Sequence, residues 1–339
     1  MPINRYISLP LAVLASLASS TASAQESLLW SEEFAGSGEP DPRTWTHDLG
    51  DLGVNNELQV YTDEPQNVRV AGGNLVIHAR RESDGTFTSG RIRSQGKIMF
   101  QYGTVEARIR IPNLADGLWP AFWTLGSDIP SVGWPRCGEI DILEMGAGEA
   151  IAAGEVNQRV YSTAHWDFEG NYASYGQQRT TPADLSEGFH VYRLEWTPTA
   201  IRTFVDGQQI WVMDITNRDA MSGHEFHAPH FLIINLAVGG WFPGITNPSD
   251  ITASLPAAYL VDFVRIYDNG HTVLTGTGLE PDCPGDVTGD EVVDAADLGM
   301  LLAVWNTDGG KRPKADVDED GTVDAADLGL LLGAWGDCP

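Results

Sequence analysis

The sequence predicts an all-β protein, an antiparallel β-sandwich of the jelly-roll type, followed by a small C-terminal domain with helices. Three observations support this fold class. Residues 25–270 alternate as strands do and show almost no helical period. Turns rich in Gly, Pro and Asn separate the many short apolar stretches, as in two packed sheets. Beyond residue 282 the chain repeats itself at a spacing of 30 residues, and each copy ends in a helical pattern.

Five segments carry the strand prediction. Residues 104–111 alternate apolar and polar side chains, and residues 75–80 do the same after a Gly-Gly-Asn turn. Residues 203–212 contain Asp-Gly between two apolar stretches, which is typical of a hairpin. Residues 231–238 are a continuous apolar run, and residues 261–267 close the series. These patterns place a sandwich domain over residues 25–270.

The C-terminal repeat predicts a second domain over residues 283–339. Residues 286–305 align with residues 316–335, and each copy is an acidic loop followed by a short amphipathic helix. Between Asp268 and Asp282 the chain loses the apolar rhythm and fills with Gly, Thr and Asn, which predicts a linker over residues 271–282. Cys283 and Cys338 bracket the repeat and are expected to form a disulfide, which leaves Cys137 as an unpaired thiol.

The N-terminus has the order of a secretory signal peptide. Arg5 precedes an apolar run over residues 7–18, and a small-residue stretch ends in Ala22-Ser23-Ala24. A membrane anchor is the alternative, but the run is shorter than the roughly 20 residues that a span needs. We therefore expect residues 1–24 to be removed and the protein to be secreted, with no membrane span.

The charge of the chain excludes nucleic acid as a partner. Asp and Glu number 47 against 20 Lys and Arg, a formal net charge of -27, which a phosphate backbone would repel. From Glu280 onward there are 15 acidic and 3 basic residues. So dense an acidic tail predicts either disorder or bound cations.

Three carboxylates in one short segment are the clearest chemical signal. Glu139 and Asp141 share a face of a strand by its two-residue period, whereas Glu144 would fall on the opposite face. A one-residue bulge near Leu143 would return Glu144 to the face of Glu139. Two glutamates flanking a scissile bond suit glycoside hydrolysis, and close carboxyls predict retention of configuration. The alternative is an exposed acidic strand face, which would normally include Lys or Thr among the acids.

The segment Gly138–Met145 resembles the signature of glycoside hydrolase family 16, in the bulged E-x-D-x-x-E form of its laminarinases. The resemblance extends over most of residues 27–268. It includes Asn55–Gln59, Ser89–Ile92, Tyr102–Arg108, Leu118–Trp123, Thr163–Trp166, Leu194–Pro198, Asn235–Gly240 and Tyr259–Tyr267. The family fold that this implies is a concanavalin-like jelly roll, in agreement with the strand prediction.

The resemblance also implies roles for individual residues. Glu139 would be the nucleophile, Glu144 the general acid/base, and Asp141 a hydrogen-bond partner of the nucleophile. The expected substrate-binding residues are Asn56, Glu57, Arg91, Trp119, Trp123, His165, Trp166 and Trp241. The chain departs from many laminarinases after the double glycine, where it reads Trp241-Phe242-Pro243. This loop changes the wall of the subsites and leaves the linkage preference open.

The acidic loops of the tail fit the calcium-loop pattern D-x-[DN]-x-[DN]-G, with a shorter acid at the twelfth position. In the second copy the ligand positions fall on Asp316, Asp318, Asp320, the carbonyl of Thr322, Asp324 and Asp327. In the first copy they fall on Asp286, Thr288, Asp290, Val292, Asp294 and Asp297. The first loop should bind more weakly, because Thr288 replaces an acid and Glu291 replaces the turn glycine. Acidic solvated turns are the alternative.

The paired loops resemble a dockerin module, an EF-hand-like domain that usually docks onto a cohesin. We therefore expect a cohesin-like or cell-surface protein as a partner. The resemblance to family 16 further implies a structural calcium site in the sandwich at Glu33, Gly73 and Asp262, partly through backbone oxygens. Calcium is the expected cofactor, and no organic cofactor is expected.

These observations predict a secreted, monomeric, retaining endo-β-1,3-glucanase with an appended calcium-loop module. Three alternatives remain open. The enzyme could act on mixed-linkage β-1,3-1,4-glucan or on a marine galactan such as agarose. The sandwich could be a non-catalytic glucan-binding protein, although such proteins lack the catalytic acids. The tail could be the functional part, with the sandwich as its carrier.

Overall fold

A computed structural model describes residues 26–216, 224–279, 283–290, 292–310, 313–318 and 320–338. The predicted signal peptide, residues 1–24, lies outside the described residues. Within the described residues, no helix is both long enough and apolar enough to cross a membrane.

The strands are short and follow one another closely along the chain. In chain order they are β1 (Ser27–Glu32), β2 (Thr46–His47), β3 (Gln59–Tyr61), β4 (Val68–Ala71), β5 (Asn74–Arg81), β6 (Phe87–Ser89), β7 (Arg91–Arg93), β8 (Met99–Gln101), β9 (Gly103–Arg110), β10 (Leu118–Gly126), β11 (Glu139–Glu144), β12 (Arg159–Phe168), β13 (Asn171–Thr180), β14 (His190–Trp196), β15 (Ala200–Val205), β16 (Gln208–Asp214), β17 (His230–Val238), β18 (Ala257–Asp268), β19 (Val273–Thr275), β20 (Val292–Val293) and β21 (Gly336–Asp337).

The helices are also short. The α-helices are α1 (Ile129–Val132), α2 (Gly148–Ala153), α3 (Ala295–Leu302) and α4 (Ala325–Gly333). Single 3-10 turns lie at His224–His227, Pro248–Asp250, Thr277–Leu279 and Pro313–Ala315.

Two sheets pack face to face, which confirms the predicted sandwich. One has ten strands along the path β16-β15-β14-β9-β18-β5-β6-β3, with β1 on β18 and β4 on β5. The other has nine strands along the path β13-β12-β11-β10-β17-β7-β2, with β8 on β17 and β19 on β8. Among the described strands the pairing is antiparallel except between β3 and β6.

The core between the sheets follows the two-residue period of the strands. On β9 the side chains of Val105, Ala107 and Ile109 are buried, as their alternation predicts. On β12 the buried residues are Val160, Ser162, Ala164 and Trp166, so the residues between them face away from the core. The outer face of the nine-stranded sheet is therefore free to carry polar chemistry.

The predicted linker is structured in its first part, which corrects the sequence interpretation. Val273–Thr275 forms β19 and pairs with β8. Leu279 packs against the sandwich core, and the N–H of Gly278 donates to the carbonyl of Lys97 at 2.9 Å. Scattered Gly and Thr hid this strand, because only Val273 and Leu274 carry its apolar pattern. The exact domain boundaries remain a prediction.

The C-terminal domain has its own small core. Its buried apolar residues are Val293, Leu301, Ala315, Val323 and Leu331. The disulfide Cys283–Cys338 joins its two ends, as predicted, and Cys137 is a buried free thiol in the sandwich. The apolar side chains of Leu302, Leu330, Leu332 and Trp335 are exposed.

Candidate active site

A bulge in β11 brings the three carboxylates to one face of the nine-stranded sheet. On the β10 side Leu143 pairs with Phe122 and Asp141 pairs with Trp123, so Ile142 between them has no partner. On the β12 side Asp141 pairs with Thr163 and Glu144 with Tyr161, and the register shifts between them. The hydroxyl of Ser162 donates to the carbonyl of Ile142 at 2.8 Å. The backbone oxygen freed by the bulge is thus satisfied, and the predicted bulge is confirmed.

Each glutamate of the cluster accepts a hydrogen bond from an indole. Nε1 of Trp134 donates to Oε2 of Glu139 at 2.8 Å. Nε1 of Trp119 donates to Oε1 of Glu144 at 3.0 Å. These bonds hold each carboxylate in one orientation and leave its second oxygen for other partners.

His165 lies close to the carboxylates of Asp141 and Glu139. Its Nε2 is 3.0 Å from Oδ2 of Asp141 and 3.9 Å from Oε1 of Glu139. Glu139 pairs with His165 across the strands β11 and β12, which explains the proximity. The imidazole therefore faces two carboxylates at once.

Burial governs the protonation of the cluster. Burial, followed by the charge of Asp141, raises the pKa of Glu139 to about 8, while His165 and the Trp134 hydrogen bond act in the opposite direction. Burial raises the pKa of Glu144 well above its ordinary value, with the charge of Asp141 next, while Trp119 lowers it. Burial also raises the pKa of Asp141. The site can therefore hold a proton on a carboxyl near neutral pH, as a general acid requires.

The predicted sugar-binding residues on the β10 side form a connected network. Arg91 pairs with Asp48 at 2.8 Å and its guanidinium carbon lies 4.9 Å from the ring centroid of Trp123. Nε1 of Trp123 donates to Asn235 at 2.8 Å, and the amide of Asn235 donates to the hydroxyl of Tyr61 at 3.3 Å. Arg91, Trp123 and Asn235 come from β7, β10 and β17, which lie on one side of β11 in the nine-stranded sheet, whereas Tyr61 comes from β3 of the ten-stranded sheet.

The network ends at the loop that holds Asn56 and Glu57. The carboxylate of Glu57 accepts hydrogen bonds from Gln59 at 2.7 Å and from the hydroxyl of Tyr61 at 3.0 Å. Asn56 is exposed, and its backbone adopts the left-handed conformation with φ 52°. The N–H of Trp241 donates to the carbonyl of the neighbouring Asn55, and the Trp241 side chain is 67% exposed, as expected of a cleft wall.

Trp166 does not belong to this site, and its prediction as a substrate-binding residue is wrong. It follows His165 on β12 and therefore points to the opposite face of the sheet. The side chain is buried in the sandwich core, where it packs edge-on against Phe226. Adjacency to an active-site histidine along the sequence misled the prediction, because strand neighbours face opposite ways.

Several aromatic residues at the site were not predicted as contacts of the catalytic cluster. Phe242 stacks on Trp119 with ring centroids 4.9 Å apart, so one face of Trp119 is covered. Tyr161 packs edge-on against Phe242. On the β12 side Tyr172 lies against both His165 and Trp134. The two-residue period of β12 was the signal for Tyr161, which lies on the same face as His165.

Comparison with known proteins decides the family. The model of glycosyl hydrolases family 16 matches residues 54–254, which include the whole carboxylate cluster. The chain belongs to glycosyl hydrolases family 16. The model of the dockerin type I domain matches residues 284–332, so this family 16 enzyme also carries a dockerin domain.

Relatives of this family 16 enzyme include glucanases. It is 38% identical over 251 residues to "Beta-glucanase" of Rhodothermus marinus, covering 71% of this chain and 84% of that protein. The laminarinase catalytic domain from Thermotoga maritima is 36% identical, with a TM-score of 0.62 over 72% of this chain and 98% of that one. A mixed-linkage glucan GH16 protein from Bacteroides ovatus, solved in complex with a G4G4G3G product, is 32% identical to this chain. Its TM-score is 0.64, over 70% of this chain and 100% of that one.

The second acidic loop of the dockerin domain gathers groups that could hold a metal ion. Side-chain oxygens of Asp316, Asp318 and Asp320 lie within 4.8 Å of one another. Oδ1 of Asp316 is buried and has no hydrogen-bond partner among the described residues, which fits an oxygen kept for a cation. Asp324 caps α4 through the N–H of Ala326, and Asp327 accepts from the N–H of Asp324. The carbonyl of Thr322 precedes this cap.

The first loop gathers a different set. Side-chain oxygens of Asp286, Asp290 and Asp297 lie within 4.8 Å of one another. Oδ1 of Asp286 accepts from the N–H groups of Gly289 and Asp290 at 2.7 and 3.1 Å and from the hydroxyl of Thr288 at 3.3 Å. Asp294 caps α3, and Val292 pairs with Asp337 in the β20–β21 ladder. Glu291 lies outside the described residues.

The predicted calcium site of the sandwich has weaker support. The carboxylate of Glu33 binds Arg265 through both oxygens at 2.8 Å, and Asp262 pairs with Arg108 at 2.6 Å. Gly73 lies in the turn between β4 and β5. Within the described residues these carboxylates join no cluster of three side chains that could hold a metal. This site remains a prediction that depends on backbone oxygens.

Proposed function

We propose that this family 16 enzyme hydrolyses β-1,3-glucan of the laminarin type within the chain and with retention of configuration. The observation that carries the proposal is the bulge of β11, which puts Glu139, Asp141 and Glu144 on one face with an indole donor on each glutamate. A pair of carboxylates in two protonation states is what retaining glycoside hydrolysis requires. The similarity to glucanases supports the choice of a β-glucan.

In the first step the ionised carboxylate of Glu139 attacks the anomeric carbon, and Glu144 donates its proton to the oxygen of the departing sugar. The bond from the anomeric carbon to that oxygen breaks as the bond to Glu139 forms. In the second step Glu144 removes a proton from water, which attacks the anomeric carbon and releases Glu139 as a carboxylate. Two inversions give net retention.

The surrounding residues suit the two halves of this cycle. Trp134 and His165 lie beside Glu139 and lower its pKa, which favours its ionised form. Burial and the charge of Asp141 raise the pKa of Glu144 well above its ordinary value, which favours its protonated form. Trp123 and Arg91 on the β10 side provide an apolar ring beside hydrogen-bonding groups, the combination that sugars require.

Mixed-linkage β-1,3-1,4-glucan is the second candidate substrate. A structure of similar fold, with 32% identity, is that of a mixed-linkage glucan enzyme with its product. The two substrates differ in linkage, and the Trp241-Phe242 loop forms part of the wall that would distinguish them.

The test is a comparison of laminarin, lichenan and agarose as substrates, with reducing ends measured over time. Proton NMR of the first product formed would report its anomer. We expect laminarin to be cleaved fastest and the β-anomer to form first. Faster cleavage of lichenan would favour the second candidate, and an initial α-anomer would contradict retention. A Glu139→Gln variant provides the control for contaminating activity.

For the dockerin domain we propose calcium in both loops, tightest in the second. Calcium would neutralise the converging carboxylates and fix the loops that precede α3 and α4. We also propose a cohesin-like protein as its partner and secretion as the route of the enzyme, because a dockerin module serves an extracellular assembly. Pull-down with a cohesin in calcium and in chelator would test the partner, and mass spectrometry of the exported N-terminus would test cleavage after Ala24.

A further inference from the structure

Tyr172 occupies an unassigned place beside the catalytic cluster. It lies on β13, the edge strand of the nine-stranded sheet, opposite Asp167 of β12. Its hydroxyl is 2.8 Å from Nδ1 of His165, and its ring lies nearly parallel to the imidazole, with centroids 5.7 Å apart. The ring of Trp134 is 5.3 Å away on a tilted plane. One tyrosine thus touches both side chains that approach Glu139 and Asp141.

The two nitrogens of His165 meet different surroundings. Nε2 faces the carboxylates of Asp141 and Glu139, so a proton is favourable there. A neutral imidazole carries only one N–H, and the other nitrogen then accepts. Nδ1 faces the phenol of Tyr172, whose O–H can donate to it. The hydroxyl and the carboxylates therefore favour the same tautomer from opposite ends of the ring.

We propose that Tyr172 is a positioning residue, which holds His165 in the Nε2–H tautomer and supports Trp134 against Glu139. This inference rests on the proposed glycoside hydrolysis, because that reaction needs Glu139 and Asp141 in fixed orientations. Tyr172 acts through His165 and Trp134 and takes no part in bond making itself. Its side chain is 54% exposed, so the inference concerns hydrogen bonding and ring contact and not core stability.

The same strand supplies a matched control. Tyr175 lies three residues further along β13, and it therefore faces the other side of the strand. Its ring lies 5.8 Å from that of Trp211, away from the carboxylates, and its side chain is 43% exposed. Removing the hydroxyl of Tyr175 changes the same chemical group on the same element without touching His165.

The experiment compares Tyr172→Phe, Tyr172→Ala and Tyr175→Phe in the full chain. Long-range nitrogen–proton NMR spectra of the imidazoles report tautomers, and the His165 signals are assigned by their loss in His165→Gln. We expect the Nε2–H tautomer in the wild type and in Tyr175→Phe, and a mixture of tautomers in Tyr172→Phe. On laminarin, Tyr172→Phe should lower kcat by roughly fivefold with KM unchanged within about twofold. Tyr172→Ala should lower kcat further, because Trp134 also loses its neighbour.

Other results would overturn the inference. A wild-type spectrum with the proton on Nδ1 overturns it whatever the variants do. Unchanged kcat and an unchanged His165 spectrum in Tyr172→Phe also overturn it. A rise in KM at constant kcat would make Tyr172 a sugar-binding platform instead. The tautomer measurement needs no substrate, so it still decides the role of Tyr172 if the wild type fails to cleave β-glucans and the proposed function falls.

Discussion

Trp134 donates its indole N–H to Oε2 of Glu139 at 2.8 Å, although the two residues are only five apart in the chain. The bond spans the turn that leads into β11. A residue of the loop before the strand thus provides a hydrogen-bond donor to Glu139, the first acid of the strand. Trp119 has the corresponding relationship with Glu144, from β10. The two glutamates thus have separate donors, which allows their protonation to be changed one at a time.

Replacing Trp134 should displace the acid limb of the pH–activity profile. The Trp134 hydrogen bond lowers the pKa of Glu139, so Trp134→Phe should raise that pKa and require a higher pH for ionisation. We expect the acid limb of kcat/KM on laminarin to move up by roughly one pH unit, the scale of a hydrogen bond to a charged group. The basic limb should stay in place. Trp305→Phe in the dockerin domain is the control, and movement of both limbs in Trp134→Phe would contradict the assignment.

Replacing Trp119 should instead displace the basic limb. Its hydrogen bond lowers the pKa of Glu144, so Trp119→Phe should let Glu144 keep its proton to higher pH. The basic limb should move up by roughly one pH unit while the acid limb does not move. The measurement is the same profile on laminarin. If Trp119→Phe displaced only the acid limb, the roles of Glu139 and Glu144 would have to be exchanged.

Azide should separate the nucleophile from the acid/base chemically. Without the Glu139 carboxylate, a small anion can attack the anomeric carbon directly, so Glu139→Ala with azide should give a glycosyl azide of inverted configuration. Glu144→Ala still forms the covalent intermediate, and azide should then give the retained configuration. The variants without azide should lose at least about a hundredfold in kcat on laminarin. NMR of the azide products checks both; the same configuration from both variants would refute the double displacement.

Much of the fold could be predicted because its strands obey simple periods. The alternation of residues 104–111 and the Asp-Gly hairpin at 206–207 depend on local sequence alone, and the structure bears them out. The bulge at Ile142 was predictable because a buried unpaired Glu144 on the core face would be too costly. The short strand Val273–Thr275 was missed because two apolar residues are too few to show a period.

The contacts of the site were harder to predict than its acids. Trp119 was expected to bind substrate; the structure adds that its indole N–H donates to Glu144 and that Phe242 covers one face of its ring. Tyr172 and His165 meet only because β13 folds back on β12, a register that the sequence does not state. Trp166 was misplaced for the opposite reason, since its sequence neighbour is at the site while its own side chain is in the core.

The catalytic acids should reduce stability at high pH. Glu139 has a folded-state pKa of about 8, above the ordinary 4.5. A raised pKa contributes stability below the ordinary value, and this contribution is lost as the pH rises through the folded pKa. Glu139→Gln mimics the neutral acid, so its Tm relative to the wild type should increase by several degrees between about pH 5 and about pH 9. Glu187→Gln, an exposed glutamate, should show no such trend. A Tm difference independent of pH would contradict a raised pKa.

Removal of calcium should act on the dockerin domain and spare catalysis. Its described residues contribute five buried apolar side chains to the core, which is little for independent stability. Without a cation, Asp316, Asp318 and Asp320 repel one another across less than 4.8 Å, so the loop should open and α4 should lose its packing against α3. Chelator should therefore abolish a separate melting transition of this domain and speed its proteolysis, while hydrolysis of laminarin stays within about twofold, because the carboxylates of β11 lie in the sandwich.

Single substitutions sharpen the calcium prediction. Asp316→Asn removes the charge of a carboxylate whose buried Oδ1 has no hydrogen-bond partner in the part of the chain that the structure describes, and it should weaken calcium binding measured by calorimetry more than Asp286→Asn does. Asp286 already receives backbone and hydroxyl donors, so its loop keeps part of its order without a cation. Asp337→Asn removes an acid of β21 that belongs to neither predicted ligand set, and it should leave calcium affinity unchanged. If the domain remained equally resistant to protease after chelation, the assignment of residues 316–327 as a calcium loop would be wrong.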